Sequence, residues 1–519
     1  MAAPQSEATS IGPGRDHRLR WSKFAHILKR DGAIVCYHSL NLATVTAPAA
    51  AGRDIERIDG LTESEILDQV ALDSRSDMVG FLDELREEAL LVPVAYDEGS
   101  YLGTIRQTLF EGRDGHIHDM YLNVVGNCNL GCTYCYVDGG KVAGYDKVKM
   151  TPEIAYKAID KYADEIKHAG YLEREPSFDR EQSQGAPAVV FYGGEPLINW
   201  EVVLSTLEYI EWLQAKGALP IWLEKVLITN GTLVRPAIAE ALARHKVSVS
   251  LSIDGPEEVH DRHRVTLGGK GSHDKVLAGL AMLREAGVQP TIAAVISPQA
   301  VEKLPEIIRY FVEELDVKAV GMNHVSILPD NGFGYDRGYE AEFTEAILKG
   351  QELILSYGDV FDRRMSNKLN SFLRRRLTSA ECAAANGGQF AVGPTGEVMV
   401  CQGDVGKPGK HRVGTVFEDE VTIRESEAVR EWATRSPLNM ESCEGCISLG
   451  SCGGGCPHNA ESLHGSIWEL DTPYCQFSRR ATEWMVWKVF DAERGSDGDG
   501  REWALAGAER FHPRRDLDT

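Results

Sequence analysis

The sequence predicts an α/β protein: a partial (β/α)6 barrel, a small α+β module ahead of it and a Cys-rich domain behind it. Three observations carry this prediction. Six apolar, β-branched runs recur through the middle of the chain, segments of helical periodicity separate them, and seven of the eleven cysteines fall between residues 382 and 475. Repeated strand then helix implies a parallel sheet, and six such units suit a partial barrel whose chemistry gathers where strands end. A chain of 519 residues also exceeds one ordinary core, so two or three domains are expected.

Taken in order, residues 1–20 are polar and contain Gly and Pro, which predicts a disordered arm. Residues 21–112 form the first module. It has a strand-like run at 33–37, a capped segment opening Leu61-Thr62-Glu63-Ser64-Glu65, and an amphipathic helix over 78–90 with Met78, Phe81, Leu82, Leu85 and Ala89 at helical spacing. The barrel core is assigned to 118–341. Its strands are predicted at 120–125, 189–192, 225–229, 247–253, 291–296 and 318–324, with helical segments such as 200–215, 237–243, 274–286 and 304–315 between them. A helical connector, 342–380, leads to the Cys-rich domain at 381–490, which has too few apolar runs for an independent core and is expected to gain stability from bound metal. Residues 491–519 are charged and read as a disordered tail.

The formal net charge of −23 argues against a nucleic-acid partner, since phosphate neutralisation needs clustered Lys and Arg, and it fits a solubility role. No apolar run is long enough to cross a bilayer, and the first twenty residues lack the apolar stretch of a signal peptide. No membrane association and a cytoplasmic location are therefore expected. In a reducing compartment, tightly spaced cysteines mean metal sites more often than disulfides.

Cys128, Cys132 and Cys135 lie on one loop directly after the first predicted barrel strand. Three thiolates at this spacing can each hold one iron of a cubane cluster and leave the fourth iron open. Zinc fits less well, because a structural site wants four ligands and no His or fourth Cys is close in sequence. With the aromatic Tyr134 ahead of the third cysteine, the loop resembles the signature of the radical S-adenosylmethionine (SAM) superfamily. The resemblance implies a radical SAM barrel and a [4Fe–4S] cluster whose open iron binds the amino and carboxylate groups of SAM. Reductive cleavage then gives a 5′-deoxyadenosyl radical that abstracts a substrate hydrogen.

Further motifs fall at later strand ends. Gly193-Gly194-Glu195 combines glycines that allow close backbone approach with an acid able to receive an ammonium, and it matches the family motif for the methionine amino group. Asn230 ends the third strand. Ser252 and Asp254 are two apart, so on a continuing strand they face one side and reach one ligand; the alternative for Asp254 is a helix N-cap. The resemblance makes Ser252 a ligand of the SAM carboxylate or ribose, Arg264 the partner of that carboxylate, and Val295 and Ile296 apolar contacts for adenine.

The later cysteines run Cys382, Cys401, Cys443, Cys446, Cys452, Cys456 and Cys475. Seven thiols leave a remainder as disulfides, and zinc and iron–sulfur are both open from spacing alone. Their order resembles the SPASM domain found behind radical SAM cores in peptide- and protein-modifying enzymes, which implies two auxiliary [4Fe–4S] clusters. Cys443, Cys446, Cys452 and Cys475 would hold one; Cys382, Cys401 and Cys456 would hold the other, with its fourth ligand unassigned. Cys36 reads as a small buried hydrophobe.

The resemblance favours a ribosomally made precursor peptide or protein as substrate, cross-linked through a thioether or carbon–carbon bond, with a reducing donor such as a flavodoxin or ferredoxin. The first module is similar in position to the winged-helix elements that hold leader peptides. Anaerobic sulfatase maturation is the alternative, although its enzymes carry an aspartate after the equivalent of Cys401 where this chain has Gln402. A non-catalytic iron–sulfur electron carrier is a third reading, which would not require the SAM motifs. His324 and Asp404 are the candidates for substrate proton transfer.

Overall fold

A computed structural model describes residues 17–52, 55–110, 116–135, 148–174, 186–325, 337–407, 409 and 411–495. The predicted arm at its first sixteen residues, and the tail beyond Gly495, lie outside the described residues.

The N-terminal module contains β1 (Leu19–Trp21), β2 (Ala25–Arg30), β3 (Ala33–His38), β4 (Thr44–Thr46) and β5 (Leu91–Pro93). β2, β3 and β4 form an antiparallel sheet, and β1 pairs with β5. A helix over Glu63–Leu67 is opened by a capping box: Thr62 Oγ1 accepts from the Glu65 N–H, and Glu65 Oε2 accepts from the Thr62 N–H at 2.8 Å. The helix Arg75–Glu87 buries Met78, Phe81, Leu82 and Leu85, the stripe expected from their spacing, against a core that includes Cys36 and Val45. A further helix, Glu98–Phe110, ties this module to the C-terminal region through Arg106 Nε, which donates to the Leu438 carbonyl at 2.6 Å.

Six parallel strands follow: β6 (Asp119–Val125), β7 (Ala188–Gly193), β8 (Glu224–Thr229), β9 (Ser248–Ser252), β10 (Thr291–Ile296) and β11 (Ala319–His324). They pair in sequence order, all parallel. Helices on the connections cover the sheet, so four consecutive β7 positions, Ala188–Phe191, are buried, as a parallel strand requires. The connector holds helices Arg337–Tyr357 and Met365–Leu373, and between them β12 (Phe361–Asp362), a two-residue strand parallel to β11 that is too short to leave a pattern in sequence.

Beyond β6 the sheet continues with β13 (Gln389–Val392), parallel to β6, then antiparallel β14 (Glu397–Met399) and β15 (Arg412–Thr415). The Cys-rich region thus shares its apolar interior with the barrel: Phe390, Val392, Val398, Val429 and Trp432 belong to the cluster that contains Met120, Leu122 and Phe191. A last helix, Thr472–Gly495, packs on Arg337–Tyr357, with Arg480 Nε donating to Glu345 at 2.6 Å and Trp484 Nε1 to Glu352 at 2.9 Å. It runs past the expected start of the tail at 491 because Val489 and Phe490 are buried and Arg494 lies over the Phe490 ring.

Candidate functional site

The C-terminal ends of the parallel strands collect the predicted motifs. Cys128 follows β6, Gly193-Gly194-Glu195 closes β7, Asn230 follows β8, Ser252 ends β9, Val295 and Ile296 end β10, and His324 ends β11.

The cysteine loop is pinned from the side by residues 263–266. Gly131 N–H donates to Val265 O at 2.8 Å, Thr133 N–H to His263 O at 3.1 Å, and Leu130 bridges Thr266. Cys128 Sγ accepts from the Leu130 N–H at 3.4 Å and from Asn230 Nδ2 at 3.7 Å, so Asn230 reaches the loop directly. Burial pushes the Cys128 thiol up to about 12 and that of Cys132 to about 11; Arg264 opposes the rise at Cys132. None of the three cysteines is in a disulfide. Soft sulfur donors on a short, backbone-clamped loop are the donor set that a [4Fe–4S] cluster with one open iron takes.

The two glycines allow a close approach of two backbone segments. A Cβ on Gly193 would stand 2.4 Å from Val125 O, and one on Gly194 would stand 2.1 Å from Asn127 O. They let the end of β7 lie against the segment that leads into the cysteine loop, and the approach is backbone to backbone. The Glu195 carboxylate, 1% exposed, accepts from Thr229 Oγ1 at 2.7 Å, Leu197 N–H at 3.0 Å and Asn230 N–H at 2.8 Å, while burial raises its pKa. Its own N–H donates to Asn127 O at 3.1 Å. It joins the ends of β7 and β8 to the cysteine loop.

Asp254 and Arg264 are engaged with each other and with the cysteine loop. β9 stops at Ser252, so the alternation that would set Ser252 and Asp254 on one side does not continue. Nor does Asp254 cap a helix; the short helix Glu257–His260 has Pro256 at that position. The buried Asp254 carboxylate instead accepts from the Tyr134 hydroxyl and from the Val295 N–H at 2.9 Å, and forms an ion pair with Arg264, Nε to Oδ1 3.0 Å. Arg264 in turn lies over the Tyr134 ring, 5.5 Å from its centroid. A charge pair out of water needs such supplementary hydrogen bonds. The aromatic of the cysteine loop, strand β9 and strand β10 are clasped at one point, and Arg264 pairs with a protein carboxylate.

His324 sits between Tyr339 and Phe343, its Nδ1 2.6 Å from Val325 O and its Nε2 buried without a hydrogen-bond partner. Burial lowers its pKa to about 4, leaving a neutral imidazole at pH 7. Asp404 lies elsewhere, just beyond Cys401. Its Oδ1 is 2.9 Å from His458 Nδ1, and its Oδ2 is buried without a partner. Lys407 Nζ stands 3.4 Å from the other ring nitrogen. His458 was missed from sequence, although its place two residues after Cys456 was a signal.

The seven later cysteines are free and fall into two neighbourhoods. Burial raises Cys443 to about 11 and Cys475 to about 12; Cys452 and Cys446 raise Cys443 further, and Cys452 and Cys443 raise Cys475. Burial likewise raises Cys401 and Cys456, and each is near Cys382. Cys382 keeps an exposed edge even though the protein around its sulfur raises its thiol. Among the described residues no three His, Cys, Asp or Glu side chains meet at the range of one ion. Between the groups lies Arg435, 0% exposed, whose guanidinium donates to the carbonyls of Ile467, Gly454 (2.8 Å) and Glu469 (3.0 Å). Nothing in its sequence context marked it.

Residues 122–311 match the family model described as the Radical SAM superfamily. The radical SAM cyclopropyl synthase TigE of Paramaledivibacter caminithermalis is 25% identical over 369 residues, 69% of this chain and 72% of that protein. The cysteine-type anaerobic sulfatase-maturating enzyme of Clostridium perfringens is 25% identical over 373 residues, 67% of this chain and 90% of that enzyme. Among solved structures, native anSMEcpe with bound AdoMet aligns with a TM-score of 0.58 at 20% identity, covering 73% of this chain and 100% of that one. Streptococcus suis SuiB bound to S-adenosylmethionine aligns with a TM-score of 0.51 at 13% identity, over 88% and 99%. These structural likenesses concern the fold. Residues 122–311, with the three-thiol loop at the mouth of the parallel sheet, form a radical SAM domain.

Proposed function

We propose that this chain is a radical SAM peptide- or protein-modifying enzyme that acts on a ribosomally made precursor and forms a thioether or carbon–carbon cross-link. The observation that carries the reading is the cysteine loop itself: three thiols within eight residues, none in a disulfide, clamped by residues 263–266 at the C-terminal ends of the parallel strands. Cys128, Cys132 and Cys135 would hold the [4Fe–4S] cluster. The chemistry supplied there, with SAM bound, is one-electron cleavage to a 5′-deoxyadenosyl radical that takes a hydrogen atom from the substrate.

The residues around the loop have separable tasks. Glu195 and Asn230 hold the loop to β7 and β8. Tyr134, Asp254 and Arg264 fix its far side to β9 and β10. Ser252, partly exposed at the end of β9, is left to meet a polar group of SAM, and Gly193 and Gly194 keep the loop close to the sheet. His324, neutral and with an unpaired Nε2, is positioned to hold a substrate proton at that atom. The C-terminal cysteines would hold two auxiliary [4Fe–4S] clusters in a SPASM-type domain, and a low-potential donor such as a flavodoxin or ferredoxin would deliver electrons. No helix among the described residues is long and apolar enough to cross a membrane, which fits action in the cytoplasm.

Relatedness to modifiers of peptides and proteins supports the substrate class. The sulfatase-maturase reading has one specific observation in its favour: Asp404, oriented by His458 beside Cys401, could act as the base that Gln402 cannot be. The deciding experiment is anaerobic reconstitution with iron and sulfide, then dithionite and SAM. Formation of 5′-deoxyadenosine supports the enzyme; its absence with a fully loaded first cluster overturns it. Mass spectrometry after co-expression with short Cys-containing peptides encoded beside this chain, or with a sulfatase, separates the two substrate classes. A mass loss of two hydrogens in a peptide indicates cross-linking, and formylglycine in the sulfatase indicates the alternative.

A further inference from the structure

The charged side chains around the two C-terminal cysteine groups are unequal. Three cations face Cys443, Cys446, Cys452 and Cys475. Lys368 Nζ donates to the carbonyls of Ser451 at 2.9 Å and Cys452 at 3.4 Å. Arg479 hydrogen-bonds Cys446 and acts on Cys475 and Cys443, and Arg435 acts on Cys452 and Cys443. The acids on this side are Glu381, 3.3 Å from Lys368, and Asp471, which acts on Cys475.

Acids dominate around Cys382, Cys401 and Cys456. Asp404 acts on Cys401, Glu381 on Cys382, and Asp471 Oδ2 accepts the Cys456 N–H at 2.9 Å. Asp404 Oδ2 and Asp471 Oδ1 are buried with no hydrogen-bond partner. Among the described residues the cations here are Arg435, shared with the first group, and Lys407, which lies behind His458.

An iron–sulfur cluster accepts an electron more readily beside positive charge and less readily beside negative charge, and burial strengthens both effects. We propose that the two groups form a graded pair of one-electron sites: the Cys443/Cys446/Cys452/Cys475 group is the more readily reduced, the Cys382/Cys401/Cys456 group the less, and Lys368, Arg479, Asp404 and Asp471 set the difference. One electron enters from a low-potential reductant, and no bond forms or breaks. The inference rests on the reading above that both groups hold clusters.

The test uses the full chain, reconstituted anaerobically and titrated with dithionite in the presence of mediators, followed by electron paramagnetic resonance. Iron content comes first. About twelve irons per chain fit three four-iron clusters, and about four would overturn the two-cluster reading and this inference with it. Cys382→Ser, altering a ligand of one group, assigns the signals. The Cys443-group signal is expected to appear first on reduction. Arg479→Gln, an exposed and partly screened charge, should disfavour that reduction about threefold, about 30 mV at 59 mV per tenfold, and Arg479→Lys should restore it. Asp404→Asn should favour reduction of the other group and leave the first unmoved. Full iron with coincident potentials, the reverse order, or both signals shifting together in either variant overturns the graded pair alone.

Discussion

The two cysteine regions are built on opposite plans. Cys128, Cys132 and Cys135 come from eight consecutive residues, and neighbouring strand ends then clamp the loop. The seven later cysteines span residues 382–475, and three cations drawn from residues 368, 435 and 479 lie among them. In the first case local sequence makes the site and the fold holds it; in the second the fold makes the site. A local site exposes its chemistry in the spacing of its ligands, whereas an assembled one exposes the ligands and hides the electrostatics.

The largest test of this contrast is ligand removal. Cys128→Ala, Cys132→Ala and Cys135→Ala should each bring 5′-deoxyadenosine below detection by liquid chromatography, while far-UV circular dichroism stays native. Cys443→Ala or Cys446→Ala should instead impair product turnover or folding. Native-like SAM cleavage in any of the first three variants would break the assignment.

The clamp comes next. Gly194→Ala would drive a methyl group into Asn127 O, and about 3 kcal/mol of lost stability is expected by urea denaturation. Gly217→Ala is the control, since that glycine has positive φ, which Gly194 lacks, and open space around it; about 1 kcal/mol is expected there from backbone strain alone. Equal losses would mean that the close approach is unimportant.

A pH effect is smaller. Burial, and then the charges of Arg264 and His273, lower His260 from 6.5 to about 3. The unfolded chain therefore binds the extra proton first, so stability rises with pH between about 3 and 6.5 and is lost as pH falls through that window. His260→Gln should flatten the denaturation midpoint there, by at most about 1.4 kcal/mol per pH unit. The smallest effect is expected for Tyr134→Phe. It removes one donor from a carboxylate that keeps Arg264 and the Val295 N–H, at a cost of about 1 kcal/mol.

Much of the barrel was legible because its strands are buried on both faces and so read as apolar β-branched runs; 291–296 was predicted and observed as β10. The motifs at strand ends followed from that. The partners of their side chains did not. Tyr134 and Asp254 are 120 residues apart, and no spacing rule couples them. Asp254 was assigned by strand alternation, which fails one residue after β9 ends. The glycines of the Gly-Gly-Glu motif were correctly suspected of a close approach, but sequence cannot say what approaches. β13 was invisible as a partner of β6, since three apolar residues after Gln389 do not reveal which sheet edge they will join.

Cys452 and Cys456 fall in different cysteine groups, yet only Gly453, Gly454 and Gly455 separate them. All three glycines have positive φ, at 77°, 85° and 69°, and added Cβ atoms on Gly453 and Gly455 would meet Ala380 at 2.6 Å and Asp471 at 2.8 Å. Four peptide steps bound the two Cα atoms to within about 14 Å. Arg435 holds the midpoint of the triplet through the Gly454 carbonyl. Two separate groups of thiols therefore have to form within the reach of one short loop.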